Sequence, residues 1–135
     1  IRDSDGRVIS NFVCQALQKK SLTIYGDGSQ TRSFCYISDM IRGLIKLMDS
    51  DYNKPMNIGS EMEMKIIDLA RLVKKNTDPN LKINFNPSIK DDPNKRKPNI
   101  DIAKNVLKWN PTIDIHRGLL LTIDYFKKEI SKNNL

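Results

Sequence analysis

The chain has 135 residues, of which 39% are hydrophobic and 29% are charged, and its formal net charge is +7. This length suits one domain with a core of its own, and the composition is that of a globular protein. No apolar run approaches the roughly 18 residues that a membrane-spanning helix needs. The basic residues are dispersed along the chain, so the charge predicts neither a nucleic-acid partner nor a membrane partner.

Periodicity predicts a mixed α/β unit of about five helices and four short strands. Apolar residues at helical spacing predict helices over residues 7–18, from Ser38 or Asp39 to Met48, over 65–76 and 101–108, and from Thr112 or Asp114 to about Ile130, with a frayed tail over 131–135. β-rich runs predict strands over residues 22–25, 32–37, 55–59 and 81–85. Residues 86–99 contain three prolines and read as a long polar loop, a length that usually serves function or is disordered.

Cysteine and histidine usage argues against a metal centre. Cys14 and Cys35 have no CxxC spacing, and the chain has one histidine, His116. The pattern therefore predicts no metal and no disulfide framework, but buried free thiols in a reducing compartment. We expect His116 to be a surface or locally satisfied residue, and we find no nucleophile–base arrangement that would make it catalytic.

Binding residues are better candidates. Tyr25 ends a predicted strand beside the Gly26-Asp27-Gly28-Ser29 turn, where its ring could stack on a nucleobase or simply pack in the core. Gln30 and Arg32 follow the turn and could converge with Tyr25 on one ligand. Arg96 lies in the proline-containing loop, and two arginines would suit a diphosphate, although the residues alone favour a surface ion pair for each arginine over a ligand contact. Because a strand follows the Gly26–Gly28 turn, it is not a dinucleotide-binding turn, which opens a helix.

Ordered strings along nearly the whole chain resemble the UDP-glucuronate decarboxylases (UDP-xylose synthases) of the extended short-chain dehydrogenase/reductase family. The strings are DGRVISNF at 5–12, QALQ at 15–18, LTIYGDGSQTRSF at 22–34, YISD at 36–39, NIG at 57–59, DDPNKRKP at 91–98 and WNP at 109–111. The turn and NIG strings are shared with related nucleotide-sugar epimerases and dehydratases, whereas the first and the DDPNKRKP strings are more particular to the decarboxylases. The resemblance implies that residues 1–135 are a single nucleotide-sugar-binding C-terminal domain and that the NAD-binding Rossmann half lies upstream.

The resemblance also implies a UDP-sugar site. Tyr25 would contact the uridine, Leu22 and Thr23 would frame the base, and Gln30 would lie near the ribose or phosphate. Arg32 and Arg96 would hold the diphosphate, with Arg7 and Val8 at the pocket edge.

The family reaction uses bound NAD to oxidise the sugar at C4, releases the C5 carboxylate as carbon dioxide, and then re-reduces the ring. Its Tyr-xxx-Lys pair is absent here, because the residues four positions after the four tyrosines are Ser29, Met40, Met56 and Glu129. We therefore expect no catalytic residue in this chain and no turnover by it alone.

Two alternatives remain. The chain could be a naturally truncated binding or interaction module, or the matching part of a nucleotide-sugar 4-epimerase or 4,6-dehydratase. A homodimer and a cytoplasmic location are expected by default, with the Golgi lumen expected for a eukaryotic full-length member. The sequence departs from the family at Lys108 and near Lys19, where members often have glycine, and a lysine in a left-handed cap costs about 1 kcal/mol.

Overall fold

The computed structural model describes residues 7–88 and 98–133. In these residues it contains five helices and four strands, which confirms the predicted α/β class. In chain order they are α1 (Val8–Leu17), β1 (Leu22–Tyr25), β2 (Thr31–Ser33), α2 (Ile37–Met48), β3 (Glu63–Lys65), α3 (Ile66–Asn76), β4 (Ile83–Asn86), α4 (Asp101–Val106) and α5 (Ile115–Asn133). None of the helices in the described residues is both long and apolar enough to cross a membrane.

The described residues form two compact units. The first comprises the described parts of Ile1–Gln30, Lys65–Asn94 and Leu119–Leu135, and the second those of Thr31–Met64 and Lys95–Gly118. In the first unit β1 and β4 pair in parallel, from Leu22 opposite Ile83 to Tyr25 opposite Asn86. Parallel strands need a crossover rather than a hairpin, and α3 leads into β4 in this role. The helices α1 and α3 pack against β1 and against each other.

Burial in the first unit follows the periodicity of the sequence. The buried apolar side chains of α1 and α3 recur at intervals of three and four residues, as expected for helices with one apolar face. They are Phe12, Val13, Ala16, Ile66, Leu69, Ala70 and Val73. Leu22 and Ile24 alternate with half-buried Thr23 and Tyr25 along β1, the period of a strand with one covered face.

The core of the second unit surrounds Trp109, which is fully buried and packs with the buried residues Ile100, Ala103 and Leu107. The indole N–H of Trp109 donates to the carbonyl of Asp39 over 3.0 Å. The ring lies against α2 at Gly43, where an added Cβ would be 2.8 Å from Ile58 and 3.0 Å from the indole nitrogen. A glycine is therefore required at this helix position by close packing.

Asp39 is the buried charged residue of this unit, with 2% of its surface exposed. Its carboxylate accepts hydrogen bonds from the backbone N–H groups of Thr112 and Ile113, from the Thr112 hydroxyl, and from Arg42. Burial raises the pKa of Asp39, but these hydrogen bonds outweigh it and hold the pKa below its ordinary value. The prediction that Ser38 or Asp39 caps α2 is therefore wrong: α2 begins at Ile37 without a side-chain cap, and Asp39 instead binds the segment before α5.

Two strand predictions also differ from the structure. The strand expected over 32–37 ends at Ser33, and residues 55–59 form no strand; the partner of β2 is β3, at Glu63–Lys65. The apolar run at 55–59 packs as irregular chain, with Ile58 against the Trp109 core. Short apolar runs signal burial more reliably than they signal strand pairing.

The remaining local predictions hold with small shifts. Asp114 caps α5, since its carboxylate accepts the backbone N–H of Arg117 over 2.8 Å, and α5 continues to Asn133, three residues beyond the predicted end at Ile130. Cys14 and Cys35 are free, as predicted, but half-buried rather than buried, and His116 is exposed.

Lys19 and Lys108 are the non-glycine residues with positive φ among those described, at 60° and 53°. Lys19 follows α1 in a paired capping arrangement: its N–H donates to the Ala16 carbonyl and the next N–H, of Lys20, to the Gln15 carbonyl. Both positions at which glycine was expected are thus left-handed.

Candidate functional site

The turn between β1 and β2 is built on two glycines. Gly26 and Gly28 have φ values of 91° and 81°, a region that favours glycine. An added Cβ at Gly28 would lie 2.8 Å from the Cβ of Ile67. The carbonyls of Gly28 and Gln30 accept hydrogen bonds from the backbone N–H groups of Ile67 and Ile66, each over 3.0 Å. The turn therefore satisfies the first N–H groups of α3, which have no partner within the helix.

This turn does not fit the pyrophosphate of a dinucleotide. A Rossmann turn opens a helix whose free N–H groups face the phosphates. Here the turn runs into β2, and the first N–H groups of α3 are taken by the carbonyls of Gly28 and Gln30. NAD therefore has no helix N-terminus to bind at this turn, and we assign it no residue in this part of the chain. Among the described residues there is also no group of three or more metal-ligating side chains.

Side-chain hydrogen bonds fix the candidate base-contacting residues in the first unit. The amide nitrogen of Gln30 donates to the carbonyl of Tyr25 over 2.9 Å, which draws the two ends of the turn together. Gln15 brackets Thr23, accepting its backbone N–H and donating to its hydroxyl. Leu22 is fully buried, so it can frame a ligand only by holding Thr23 and Tyr25 in place. Tyr25 itself is half-buried.

The other candidate residues are distributed as follows. Arg7 is exposed and immediately precedes α1, and Val8 is the first residue of that helix. Arg32 is half-buried in β2, in the second unit, and donates to the carbonyl of Thr31 over 2.7 Å. Arg96 lies outside the described residues. The structure therefore brings Tyr25 and Gln30 into contact, while the convergence of Tyr25 with Arg32 and Arg96 stays a prediction.

Arg32 lines a cavity of about 410 Å³ in the second unit, a size typical of small-molecule sites. Its lining combines one arginine and two serines with apolar residues. The lining residues are Arg32, Ser33, Cys35, Met40, Ile58, Gly59, Ser60 and Pro98.

Two long-range contacts hold the walls of this cavity together. The side chain of Asn57 donates to the Asn99 carbonyl over 3.3 Å, and Lys104 pairs with Glu61 over 2.6 Å. The hydrogen bond with Glu61 is the main reason why the pKa of Lys104 lies above its ordinary value. Together they fix the segment around Gly59 beside Pro98, whose ring would lie 3.1 Å from an added Cβ at Gly59.

The sulfur in this wall is a neutral thiol. Burial, followed by the negative charge of Asp39, raises the pKa of Cys35 above its ordinary value. Ser33, Ser60 and Pro98 are lining residues that the sequence did not single out. Pro98 ends the DDPNKRKP string, which was a usable signal, whereas nothing in the sequence distinguishes Ser60 from a loop serine.

Comparisons with known proteins agree with this architecture. A family model described as the NAD dependent epimerase/dehydratase family matches residues 2–59. UDP-glucuronic acid decarboxylase 4 of Arabidopsis thaliana is 48% identical over 93% of this chain and 28% of its own length. UDP-glucuronic acid decarboxylase 1 of Xenopus tropicalis is 46% identical over 94% of this chain and 30% of its own length. The chain thus spans about a third or less of these curated relatives.

Solved structures give the same fold. UDP-glucose 4-epimerase from Thermotoga maritima, crystallised with UDP-glucose, superposes with a TM-score of 0.87 at 29% identity, over 91% of this chain and 40% of that one. UDP-glucuronic acid 4-epimerase from Bacillus cereus, in complex with UDP-glucuronic acid and NAD, superposes with a TM-score of 0.85 at 31% identity, over 92% of this chain and 40% of that one.

The chain thus has the fold of the C-terminal part of extended short-chain dehydrogenases/reductases, and residues 2–59 are similar to the NAD dependent epimerase/dehydratase family. Within it, the curated homologues at 46–48% identity cited above are UDP-glucuronic acid decarboxylases.

Proposed function

We propose that this chain is the UDP-sugar-binding portion of a UDP-glucuronate decarboxylase and acts as a single nucleotide-sugar-binding domain. The observation that carries the proposal is the cavity lined by Arg32 and Pro98. Arg96, which the family resemblance pairs with Arg32 on the diphosphate, precedes Pro98 by two residues in the sequence. Two guanidinium groups at one cavity match the charge and planar oxygens of a diphosphate.

The remaining candidate residues take the roles that the family resemblance implies. Tyr25 stacks on the uracil from the end of β1, where Gln30 fixes the backbone of the tyrosine. Thr23 is fixed in turn by Gln15 and frames the base together with Leu22. Gln30 contributes to ribose or phosphate contacts through the part of its amide not used by Tyr25. Arg7 and Val8 form the outer edge.

The proposed chemical task of this part is to bind and orient. In the parent reaction the 4-keto sugar is a β-keto acid, whose decarboxylation leaves a stabilised enolate. NAD supplies the hydride chemistry when it is bound, and that chemistry is assigned to a part of the enzyme outside these 135 residues. The residues of this chain hold the diphosphate and base, so that binding energy far from the sugar positions the reacting carbons.

Calorimetric titration of UDP into the chain tests the proposal. Arg32→Ala and Arg96→Ala should each weaken binding about tenfold or more, because each removes charge-assisted hydrogen bonds worth about 1.5–3 kcal/mol. Arg71→Ala is the matched control: it removes an equal charge from an exposed residue of α3 that pairs with Asp68. Unchanged affinity in the Arg32→Ala, Arg96→Ala double variant would contradict the proposed site.

An activity assay separates the binding role from catalysis. With UDP-glucuronate and NAD, the isolated chain should release no carbon dioxide, since it contains no Tyr-xxx-Lys pair. Measurable turnover would show that the chain is catalytically complete. The epimerase alternative shares the diphosphate site, but the identity to decarboxylases, 46–48% against 29–31% to the solved epimerases, supports the decarboxylase assignment.

A second function, that of an interaction module, is supported by α2. Five of its apolar side chains share one exposed face, at 46–81% exposure: Ile37, Ile41, Leu44, Ile45 and Met48. We propose that this α2 stripe is the contact surface for the NAD-binding half that the family resemblance implies. Light scattering after gel filtration should show concentration-dependent association of the wild-type chain and a monomer for Ile41→Glu. A wild-type chain that stays monomeric at every concentration would count against this function.

A further inference from the structure

The side-chain amide of Gln15 is bonded to Thr23 through both of its ends. Gln15 lies on α1 and is a buried polar residue, with 8% of its surface exposed. Its Oε1 accepts the backbone N–H of Thr23 over 3.1 Å, and its Nε2 donates to the Thr23 hydroxyl over 3.2 Å. A buried amide destabilises a fold unless it is hydrogen-bonded, so these two contacts fix Gln15 and Thr23 relative to each other.

The same two hydrogen bonds fix the direction of the Thr23 hydroxyl. A backbone N–H can only donate, so the atom of Gln15 that meets it is the amide oxygen, and the amide nitrogen is the atom that meets the hydroxyl. An amide nitrogen also only donates, so Thr23 Oγ1 is the acceptor of that bond. The proton of the hydroxyl therefore points elsewhere, and among the described residues this hydroxyl makes no other hydrogen bond.

Thr23 is a neighbour of the residue proposed to stack on the base. Thr23 and Tyr25 are two residues apart on β1, so their side chains are about 7 Å apart on the same face of the strand. Both are half-buried, whereas Leu22 and Ile24 on the opposite face are buried. A base that stacks on Tyr25 therefore lies beside Thr23, whose hydroxyl has a proton to donate.

We infer that Gln15 is a positioning residue for base selection, which orients the Thr23 hydroxyl as a donor to the C4 carbonyl oxygen of uracil. The inference rests on the proposed function, in which Tyr25 stacks on the base, and it adds a residue that the family resemblance did not assign. Uracil carries an acceptor at C4, where cytosine carries an amino group that donates. The oriented hydroxyl therefore matches uracil, whereas cytosine would leave its proton without an acceptor.

Calorimetric titration of UDP and of CDP into the chain tests the inference, because these two ligands differ only in the base. The wild type should bind UDP about tenfold more tightly than CDP, the effect of one well-made hydrogen bond. Gln15→Glu should reverse the hydroxyl, because a carboxylate accepts from both the N–H and the hydroxyl of Thr23. The hydroxyl then has no proton for the ligand, and the ratio of the two affinities should fall to about one.

Control variants separate this effect from charge and from folding. Gln18→Glu places the same charge on an exposed residue at the end of α1 and should leave the ratio of UDP to CDP affinity unchanged. Thr23→Val removes the hydroxyl but keeps the shape of the side chain, and it should abolish the preference for UDP. Thr23→Ser keeps the hydroxyl and should retain the preference. The two Thr23 variants decide the question even if Gln15→Glu does not fold.

The outcomes distinguish this inference from the proposed function. A wild-type ratio near one, or a ratio that both Gln15→Glu and Thr23→Val leave unchanged, would overturn base selection by Thr23 while the proposed UDP site stands. Loss of the preference in Thr23→Val but not in a folded Gln15→Glu would overturn the role of Gln15. An equal loss in Gln18→Glu would assign the effect to charge and also overturn it. A wild-type chain that binds neither UDP nor CDP would instead refute the proposed function itself.

Discussion

Replacing Lys108 by glycine should stabilise the protein. Lys108 has a φ of 53° and links α4 to the buried Trp109. The backbone N–H of Trp109 donates to the Ala103 carbonyl. A left-handed conformation costs a residue with a Cβ about 1–2 kcal/mol. Glycine removes that cost but adds conformational entropy to the unfolded chain, worth about 0.4–1 kcal/mol. The net gain expected for Lys108→Gly is about 0.5–1 kcal/mol.

Dividing this gain in free energy by the entropy of unfolding typical of a chain of 135 residues gives a rise of about 2–4 °C in Tm. Urea unfolding should show a higher midpoint with an unchanged slope, since the exposed surface on unfolding does not change. Lys19→Gly should give a smaller gain, because Lys19 also pairs with Asp78 at 3.8 Å.

The matched control is Lys54→Gly. Lys54 is exposed and, unlike Lys19 and Lys108, does not have a positive φ. The same substitution should therefore destabilise by about 0.4–1 kcal/mol through the unfolded state alone. If Lys108→Gly lowers the midpoint as much as Lys54→Gly does, the backbone-strain argument is refuted.

Three further substitutions test the packing of the second unit. Asp39→Asn should lower the free energy of unfolding at pH 7 by about 2–4 kcal/mol, because an amide cannot accept all four hydrogen bonds made to the carboxylate. The folded pKa of Asp39 is depressed, so its contribution is complete above the unfolded value of about 3.9 and is lost as the pH falls through the folded pKa. The urea midpoints of the wild type and of Asp39→Asn should thus converge at low pH. A difference between the two midpoints that stays constant from pH 7 down to pH 2 would show that the ionised carboxylate does not cause the difference in stability. Gly43→Ala should lower the free energy of unfolding by about 1–3 kcal/mol despite the higher helix propensity of alanine, because the new methyl group meets Ile58 and the rigid indole of Trp109. A rise in Tm would show instead that these two side chains can move apart. Asp114→Ala should lower the free energy of unfolding by about 1 kcal/mol because it removes the N-cap of α5, whereas Asp114→Asn should be close to wild type. Equal losses in both variants would show that the negative charge of Asp114, and not its capping hydrogen bond, is what stabilises the helix.

Local features of the chain were predictable because their causes are local. The spacing of apolar residues predicted α1 and α3 to within a residue or two, and the Gly26-Asp27-Gly28-Ser29 run predicted the turn in which both glycines have positive φ values. The left-handed positions at Lys19 and Lys108 were also foreseeable, from the glycines expected there by family resemblance. In each case the physical determinant lies within a few residues of the feature, so a single stretch of sequence contains it.

Features that depend on distant residues were decided by the tertiary structure alone. Asp39 looked like a helix cap, yet its partners are Thr112 and Ile113, more than 70 residues along the chain. The run at 55–59 is not a strand, and its half-buried Met56 and Ile58 instead pack against the core around Trp109. The cavity beside Arg32 likewise exists only because Ile58 and Pro98, which are distant in sequence, line it too. Periodicity reports which side chains avoid water, but only the folded chain determines which groups meet, because hydrogen bonding and close packing are properties of pairs.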